Sequence, residues 1–377
     1  MRKVELPSID INALTFTSNS KHMASSKLIE AFEDIGFAVV VGHGIGVERL
    51  LEMRDLLIRV FDVSDSIKEN LTISRDDYRG YIPLGFFSPN EKNARTVTEP
   101  DAYEGFKLHW ECPENNPVRD ECALYGSNKW VKQVDKMSQI VLSYWNDCDR
   151  LASTLFQQMA MALDLEQNVF LDFFQEPLTN MTLLHYPVSV SKSRISGIHP
   201  HKDISAITIL HPDPAGGLEI RTREGEWIEI FCPPEALLVN IGDLMEVWSG
   251  GRFISTPHRV FNRGQESRYS APYFSVPRHS TLVKPLVEYE NSFEEREILA
   301  GEVSAEVWRT NWLDESPSES GYQLGAIVGG SFAPIIATLL WKNYDIFWVS
   351  VYIAFASILS LISVYMLTET FQKDLND

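Results

Sequence analysis

The stretch "GIHPHKDISAITIL", residues 197–210, sets a His-x-Asp triplet into a segment whose other residues read as a β-strand. In a strand, side chains at i and i+2 point to one face, so His201 and Asp203 converge while Lys202 points away. Two protein ligands hold a transition metal poorly, and a third must come from elsewhere. "STPHRVF" offers His258, 55 residues beyond Asp203 and inside another predicted strand. Two imidazoles and one carboxylate on one face suit a non-haem Fe(II) centre with three coordination positions left open. A solvated strand end plus a satisfied core histidine is the bland alternative for the same residues.

A second pair on one strand face favours the metal site. "RYS" places Arg268 and Ser270 at i and i+2, ten residues beyond His258. A guanidinium fork and a hydroxyl pointing the same way suit the distal carboxylate of a dicarboxylic acid. Tyr186, on the strand read from "LLHYP", offers a phenol beside them.

Around these residues the chain has two textures. From about Met181, short runs such as "MTLLHYP", "GLEIRT", "EWIEI", "ALLVNIG" and "RYSAPYFSV" are separated by Gly, Pro and Asp, the pattern of an all-β sandwich or barrel. Before it, helices dominate. "LIEAFEDI", residues 28–35, places Leu28, Phe32 and Ile35 on one face and stops at Gly36. "FAVVV" follows as a buried strand, Leu50 to Phe61 as a second amphipathic helix, and about Val134 to Leu165 as a long one. "EREILAGEVSAEVWRTNW" reads as a last helix of this part.

With "LLHYP", "HPHKDISAITIL", "GGLEIRTREGEWIEI", "LVNIGDLMEVWSGGRFISTPHRV" and "RYSAPYFSVP", residues 181–277 resemble the catalytic jelly roll of the isopenicillin N synthase-like Fe(II)/2-oxoglutarate-dependent oxygenases. "LPSIDI", "IGFAVVVGHGI" and "YRGYIPLG" extend the resemblance over about residues 4–310. It implies a mainly β fold with helices: a double-stranded β-helix that holds Fe(2+) through His201, Asp203 and His258, with 2-oxoglutarate anchored by Arg268 and Ser270 beside Tyr186. Leu184 stands where many plant members have asparagine, so the resemblance implies one polar contact fewer to the cosubstrate. The implied reaction consumes O2 and 2-oxoglutarate, releases succinate and CO2, and hydroxylates or desaturates a small metabolite. An iron oxidase that needs no 2-oxoglutarate is an alternative enzyme. A catalytically inactive, membrane-associated module derived from a transporter is the non-enzyme alternative.

The resemblance places the substrate mouth in residues 78–111 and in the C-terminal helix. Arg79, Tyr81, Lys107 and His109, with Trp110, are the candidate substrate contacts there, and a solvated loop with an aromatic staple accounts for them equally. Arg79 and Lys107 favour a carboxylate-bearing or otherwise polar small molecule. His199 shares a face with His201 and is a competing ligand.

The formal net charge of -19 argues against nucleic acid, which requires a concentrated basic surface. The four cysteines have no Cys-x-x-Cys spacing, and no secretory apolar core follows the first residues, so a cytoplasmic catalytic domain is expected. Near residue 320 the composition shifts sharply. Tyr322–Trp341 and Ile346–Leu367 contain no charged residue over 20 and 22 positions, long enough to cross a membrane as a helical hairpin. Residues 321–369 resemble the last two transmembrane helices of a major-facilitator metabolite symporter. The expected organisation is therefore 1–175 as an N-terminal region packed on the jelly roll, 176–310 as the jelly roll, 311–320 as a linker and 321–369 as a transmembrane hairpin. The whole chain is then membrane-associated through 322–367, as an anchored oxygenase or as a misjoined reading frame.

Overall fold

Alternate residues of "FAVVV" face two different cores, and this alternation organises the molecule. Phe37 and Val39 pack between two sheets, with Leu184, Tyr186, Leu218, Ile220, Leu238 and Val260. Ala38 and Val40 pack on the opposite side, with Met181, Leu183, Leu237 and Val239, against Leu28, Leu50 and Leu151 of the helices. A period of two on a sheet covered on both faces yields a continuous apolar run of this kind. The computed structural model describes residues 6–15, 18–87, 100–188, 195–262, 266–288 and 296–310.

The strands of the two main sheets are Ser8–Asp10 (β1), Phe37–Val41 (β2), Gly80–Ile82 (β3), Glu104–His109 (β4), Asn180–Tyr186 (β5), Ile195–His201 (β6), Ile207–Leu210 (β7), Leu218–Arg221 (β8), Trp227–Glu229 (β9), Leu237–Ile241 (β10), His258–Asn262 (β11), Arg268–Ser270 (β12) and Tyr273–Ser275 (β13). The larger sheet runs β1-β2-β10-β7-β13-β5-β4-β3, with β12 also paired to β5; the smaller runs β6-β11-β8-β9. Helices Ser18–Asp34, Val47–Phe61 and Met137–Ala162 cover the outer face of the larger sheet. The result is a jelly-roll-like sandwich with a helical layer. Strands β1 to β4, all before residue 176, complete its larger sheet.

The predicted helices are found at Ser18–Asp34, Val47–Phe61, Met137–Ala162 and Ala300–Thr310. Gly36 ends the first of them at φ +68, and its N–H returns to the Ala31 carbonyl at 3.0 Å. A Cβ there would lie 2.0 Å from the Ile254 carbonyl oxygen, so only glycine lets the chain turn directly into β2. The opening stretch, in contrast, is two strands and not one. β6 ends at His201 in the smaller sheet and β7 begins at Ile207 in the larger, so the chain changes layer across residues 202–206.

The expectation of a multi-pass, membrane-associated chain is corrected. No helix among the described residues is long and apolar enough to cross a membrane. The longest, Met137–Ala162, carries Asp147, Asp149 and Arg150, charges that hydrocarbon does not accept, and packs its apolar side on the larger sheet. The uncharged runs 322–341 and 346–367, and the linker before them, lie outside the described residues.

Candidate active site

His258, the first residue of β11, lies directly opposite His201, the last of β6, in the antiparallel register. Their ring centroids are 4.3 Å apart. Asp203 stands just past the strand end, where its backbone is held by the turn after β10. Asp243 N–H donates to the Asp203 carbonyl at 2.8 Å and Leu244 N–H to that of Ser205 at 3.1 Å. Gly242 allows this approach, because a Cβ there would fall 2.2 Å from the Ser205 carbonyl oxygen.

Each of the three side chains has one polar atom engaged and one free. His201 Nδ1–H donates to the His199 carbonyl at 2.8 Å, and His258 Nδ1–H to that of Thr256 at 3.2 Å, which leaves both Nε2 atoms available. Asp203 Oδ2 accepts from Thr208 Oγ1 at 2.6 Å and Asn240 Nδ2 at 2.8 Å, which leaves Oδ1. Oδ1 lies 3.6 Å from His201 Nε2 and 3.5 Å from His258 Nε2. A first-row metal about 2.1 Å from each ligand needs edges of about 3 Å, so each of these two edges contracts by about half an ångström to accept one. The donor set fits Fe(II), and the carbonyl partners fix the tautomers a metal requires.

Electrostatics favour the ligating forms of His201 and Asp203, whereas the Asp203 charge favours a proton on His258 that a metal must displace. Burial and the neighbouring His258 push the His201 ring down to about 4, so it is neutral near pH 7. Burial works against the Asp203 carboxylate, yet the two imidazoles and the Thr208 hydroxyl hold it well below the ordinary carboxylate range. Burial lowers His258, but the Asp203 charge outweighs it and raises the ring above its ordinary value.

The cluster opens onto a cavity of about 610 Å³ that holds His201 and Asp203 in its lining. Tyr78, Ile82, Phe87, Tyr103, Leu124, Leu178, Leu184, Ile198, Phe274 and Val276 make the wall mostly apolar, while Ser304 and Val307 come from the helix Ala300–Thr310. Tyr78 stacks on Trp308 of that helix at 5.1 Å between centroids.

Arg268 and Ser270 share the inner face of β12, opposite Tyr186 and Leu184 of β5. The guanidinium donates from Nε to the Gly216 carbonyl at 3.0 Å and from Nη1 to Ser270 Oγ at 3.1 Å, and lies 4.7 Å over the Tyr186 ring. Arg268 is 2% exposed, and no carboxylate among the described residues forms an ion pair with it. Arg268 lines a smaller cavity of about 90 Å³, whereas Leu184, its neighbour across the strands, lines the large one.

Of the four expected substrate contacts, Lys107 and His109 line the large cavity, and Arg79 and Tyr81 do not. Arg79 is buried with its guanidinium on the Leu124 carbonyl and 3.8 Å from Asp77. Tyr81 donates its hydroxyl to Glu104 at 2.6 Å, in a group with Lys68 and His185. A buried donor takes an acceptor within reach, and these bonds occupy the Arg79 guanidinium and the Tyr81 hydroxyl. Trp110 packs edge-on against Tyr125. His199 is not part of the cluster of His201, Asp203 and His258, and its Nδ1 meets Asp101 at 2.5 Å. Sequence reasoning does not single out Thr208 or Asn240. An asparagine within the apolar strand "LLVNI" is the available sign, since a buried amide needs a polar partner.

A two-layered β sandwich with a His-Asp-His cluster at the end of two paired strands defines the class of non-haem iron oxygenases. The profile of the 2OG-Fe(II) oxygenase superfamily matches residues 178–277, and that described as non-haem dioxygenase in morphine synthesis N-terminal matches 6–133. The chain belongs to the 2OG-Fe(II) oxygenase superfamily. It is 29% identical over 299 residues to homoarginine-6-hydroxylase of Glycine max, covering 74% of this chain and 88% of that protein. A putative 2OG-Fe(II) oxygenase family protein of Caulobacter crescentus superposes with TM-score 0.70 at 27% identity, over 81% of this chain and 98% of the other. The dioxygenase for auxin oxidation of Arabidopsis thaliana, solved as its complex with 2-oxoglutarate, gives TM-score 0.58 at 26% identity over 77% and 100%. The protein is a 2-oxoglutarate-dependent dioxygenase whose cofactor is Fe(2+) and whose cosubstrates are 2-oxoglutarate and O2. Neither matched family extends past residue 277, so the likeness of 321–369 to symporter helices gains no support.

Proposed function

We propose that His201, Asp203 and His258 hold the iron, that Arg268, Ser270 and Tyr186 receive the distal carboxylate of 2-oxoglutarate, and that the 610 Å³ cavity takes a small-molecule substrate. When bound, Fe(II) supplies the oxidative decarboxylation of 2-oxoglutarate to succinate and CO2 and, with it, oxidation of a substrate C–H bond. The chain's own groups do the positioning. Backbone carbonyls aim both imidazoles, Thr208 and Asn240 orient the carboxylate, and the apolar wall keeps bulk water from the reacting carbon. The buried Arg268, without a carboxylate of its own among the described residues, supports a dianion at its fork. The finer placement among isopenicillin N synthase-like enzymes rests on the strand motifs quoted above. The convergence of Nε2, Nε2 and Oδ1 within 4.8 Å of one another carries this reading. Asp203→Ala is expected to abolish both Fe(II) binding and succinate release; succinate release at the wild-type rate from that variant would reject it.

A further inference from the structure

Strands β4 and β5 present four polar side chains to the large cavity. Lys107 lies opposite Thr182 and His109 opposite Asn180, and all four line the cavity. Phe106, Leu108 and Met181, between them, face the helical core, as the period of two requires. Lys107 Nζ donates to Asn180 Oδ1 at 2.6 Å and Thr182 Oγ1 at 3.0 Å, with the Phe274 and Tyr78 ring centroids 5.4 and 5.7 Å away. An ammonium has three donors, and here one remains unused.

No carboxylate among the described residues pairs with this ammonium. The other charged groups of the lining are answered: Asp101 by His199, Asp203 by its two imidazoles, and Asp243 by Lys202 at 3.8 Å, which also meets Glu246. A cation taken from bulk water without its anion is costly. Burial accordingly lowers the Lys107 ammonium to about 7, with the charge of Asp203 opposing. His109 adds a second unanswered group, since it is 7% exposed and neither ring nitrogen has a hydrogen-bond partner of normal geometry.

Building on the oxygenase site proposed above, we infer that Lys107, with His109, Asn180 and Thr182, is a subsite for the carboxylate of the primary substrate, and that this substrate is a hydrophobic monocarboxylic acid. The apolar wall accepts its body. The strand order sets a ruler. Thr208, bonded to Asp203, lies opposite Phe274, and Phe274 opposite Asn180. Two strand spacings, about 10 Å, therefore separate the two ends. Oxidation then falls on a carbon several bonds from the acid group.

The test is anaerobic calorimetry on the full chain loaded with Fe(II) and 2-oxoglutarate, using 4-phenylbutyrate, 6-phenylhexanoate and decanoate, each against its primary amide. At least one acid is expected to bind about tenfold or more tightly than its amide, the worth of one charge-assisted hydrogen bond. Lys107→Met removes that preference while amide binding, the control for folding, persists; Lys107→Arg retains part of it. Three results overturn the inference: no acid of the panel outbinds its amide, the preference survives Lys107→Met, or that variant weakens 2-oxoglutarate instead. Failure of the iron and cosubstrate assignment is seen separately, as 2-oxoglutarate binding untouched by Arg268→Gln, and leaves the acid-amide comparison readable on metal-free protein.

Discussion

Replacing Asn240 by leucine asks whether the iron site is made by its ligands alone or also by the atoms that hold them. Asn240 and Thr208, 4% and 3% exposed, both donate to the same oxygen of Asp203, at 2.8 and 2.6 Å. Leucine keeps the Cγ branching of asparagine and suits the buried strand β10, though it is bulkier, and one hydrogen bond to a charged group is lost. Such a bond is worth about 1.5–3 kcal/mol. At about 1.4 kcal/mol per tenfold, Fe(II) affinity falls roughly 10- to 100-fold. Anaerobic Fe(II) titration against a competing chelator measures the loss, and thermal unfolding of the metal-free protein confirms that the fold is intact. Thr208→Val acts in the same direction, and the double variant is less than additive because the two donors share an acceptor. An Asn240→Leu protein with unchanged metal-free Tm and wild-type Fe(II) affinity refutes the reasoning.

Arg268→Gln keeps a hydrogen-bonding group on β12 but removes the charge, and the KM for 2-oxoglutarate is expected to rise about 10-fold or more, with little effect on Fe(II) affinity; a steady-state titration of succinate release checks both. Gly36→Ala forces a side chain into φ +68 and against the Ile254 carbonyl, so a stability loss of about 1–3 kcal/mol is expected in urea unfolding, with the active site unaltered in the folded fraction. Lys107 provides a pH signature. Its ammonium is lowered to about 7, below the ordinary lysine value, so the free site is largely neutral above pH 7. A bound carboxylate stabilises the charged form and raises that value, so acid binding above pH 7 takes up a proton and weakens as pH rises further. Binding enthalpies in two buffers of different ionisation heat measure the uptake; pH-independent binding with no proton uptake between pH 7 and 9 speaks against Lys107 as the partner.

Local periodicity made several parts of this protein legible without coordinates. "FAVVV" coincides with β2 from Phe37 to Val41, because a short, valine-rich apolar run bounded by glycines suits a strand buried on both faces. Gly36 marks the end of its helix because the turn needs a left-handed residue. The i and i+2 spacing of Arg268 with Ser270 carries that pair's common face within three consecutive residues, whereas Asp203, past the end of β6, owes its place to the turn after β10. The tertiary structure decided everything that depends on distant partners. The His258↔His201 register, the layer change after His201, the Thr208 and Asn240 clamp, and the capture of Arg79 by Leu124 and of Tyr81 by Glu104 each join residues far apart in the chain. A side chain's face is set by its immediate neighbours, but its partner is set by which strands pair, and that is a property of the whole sheet.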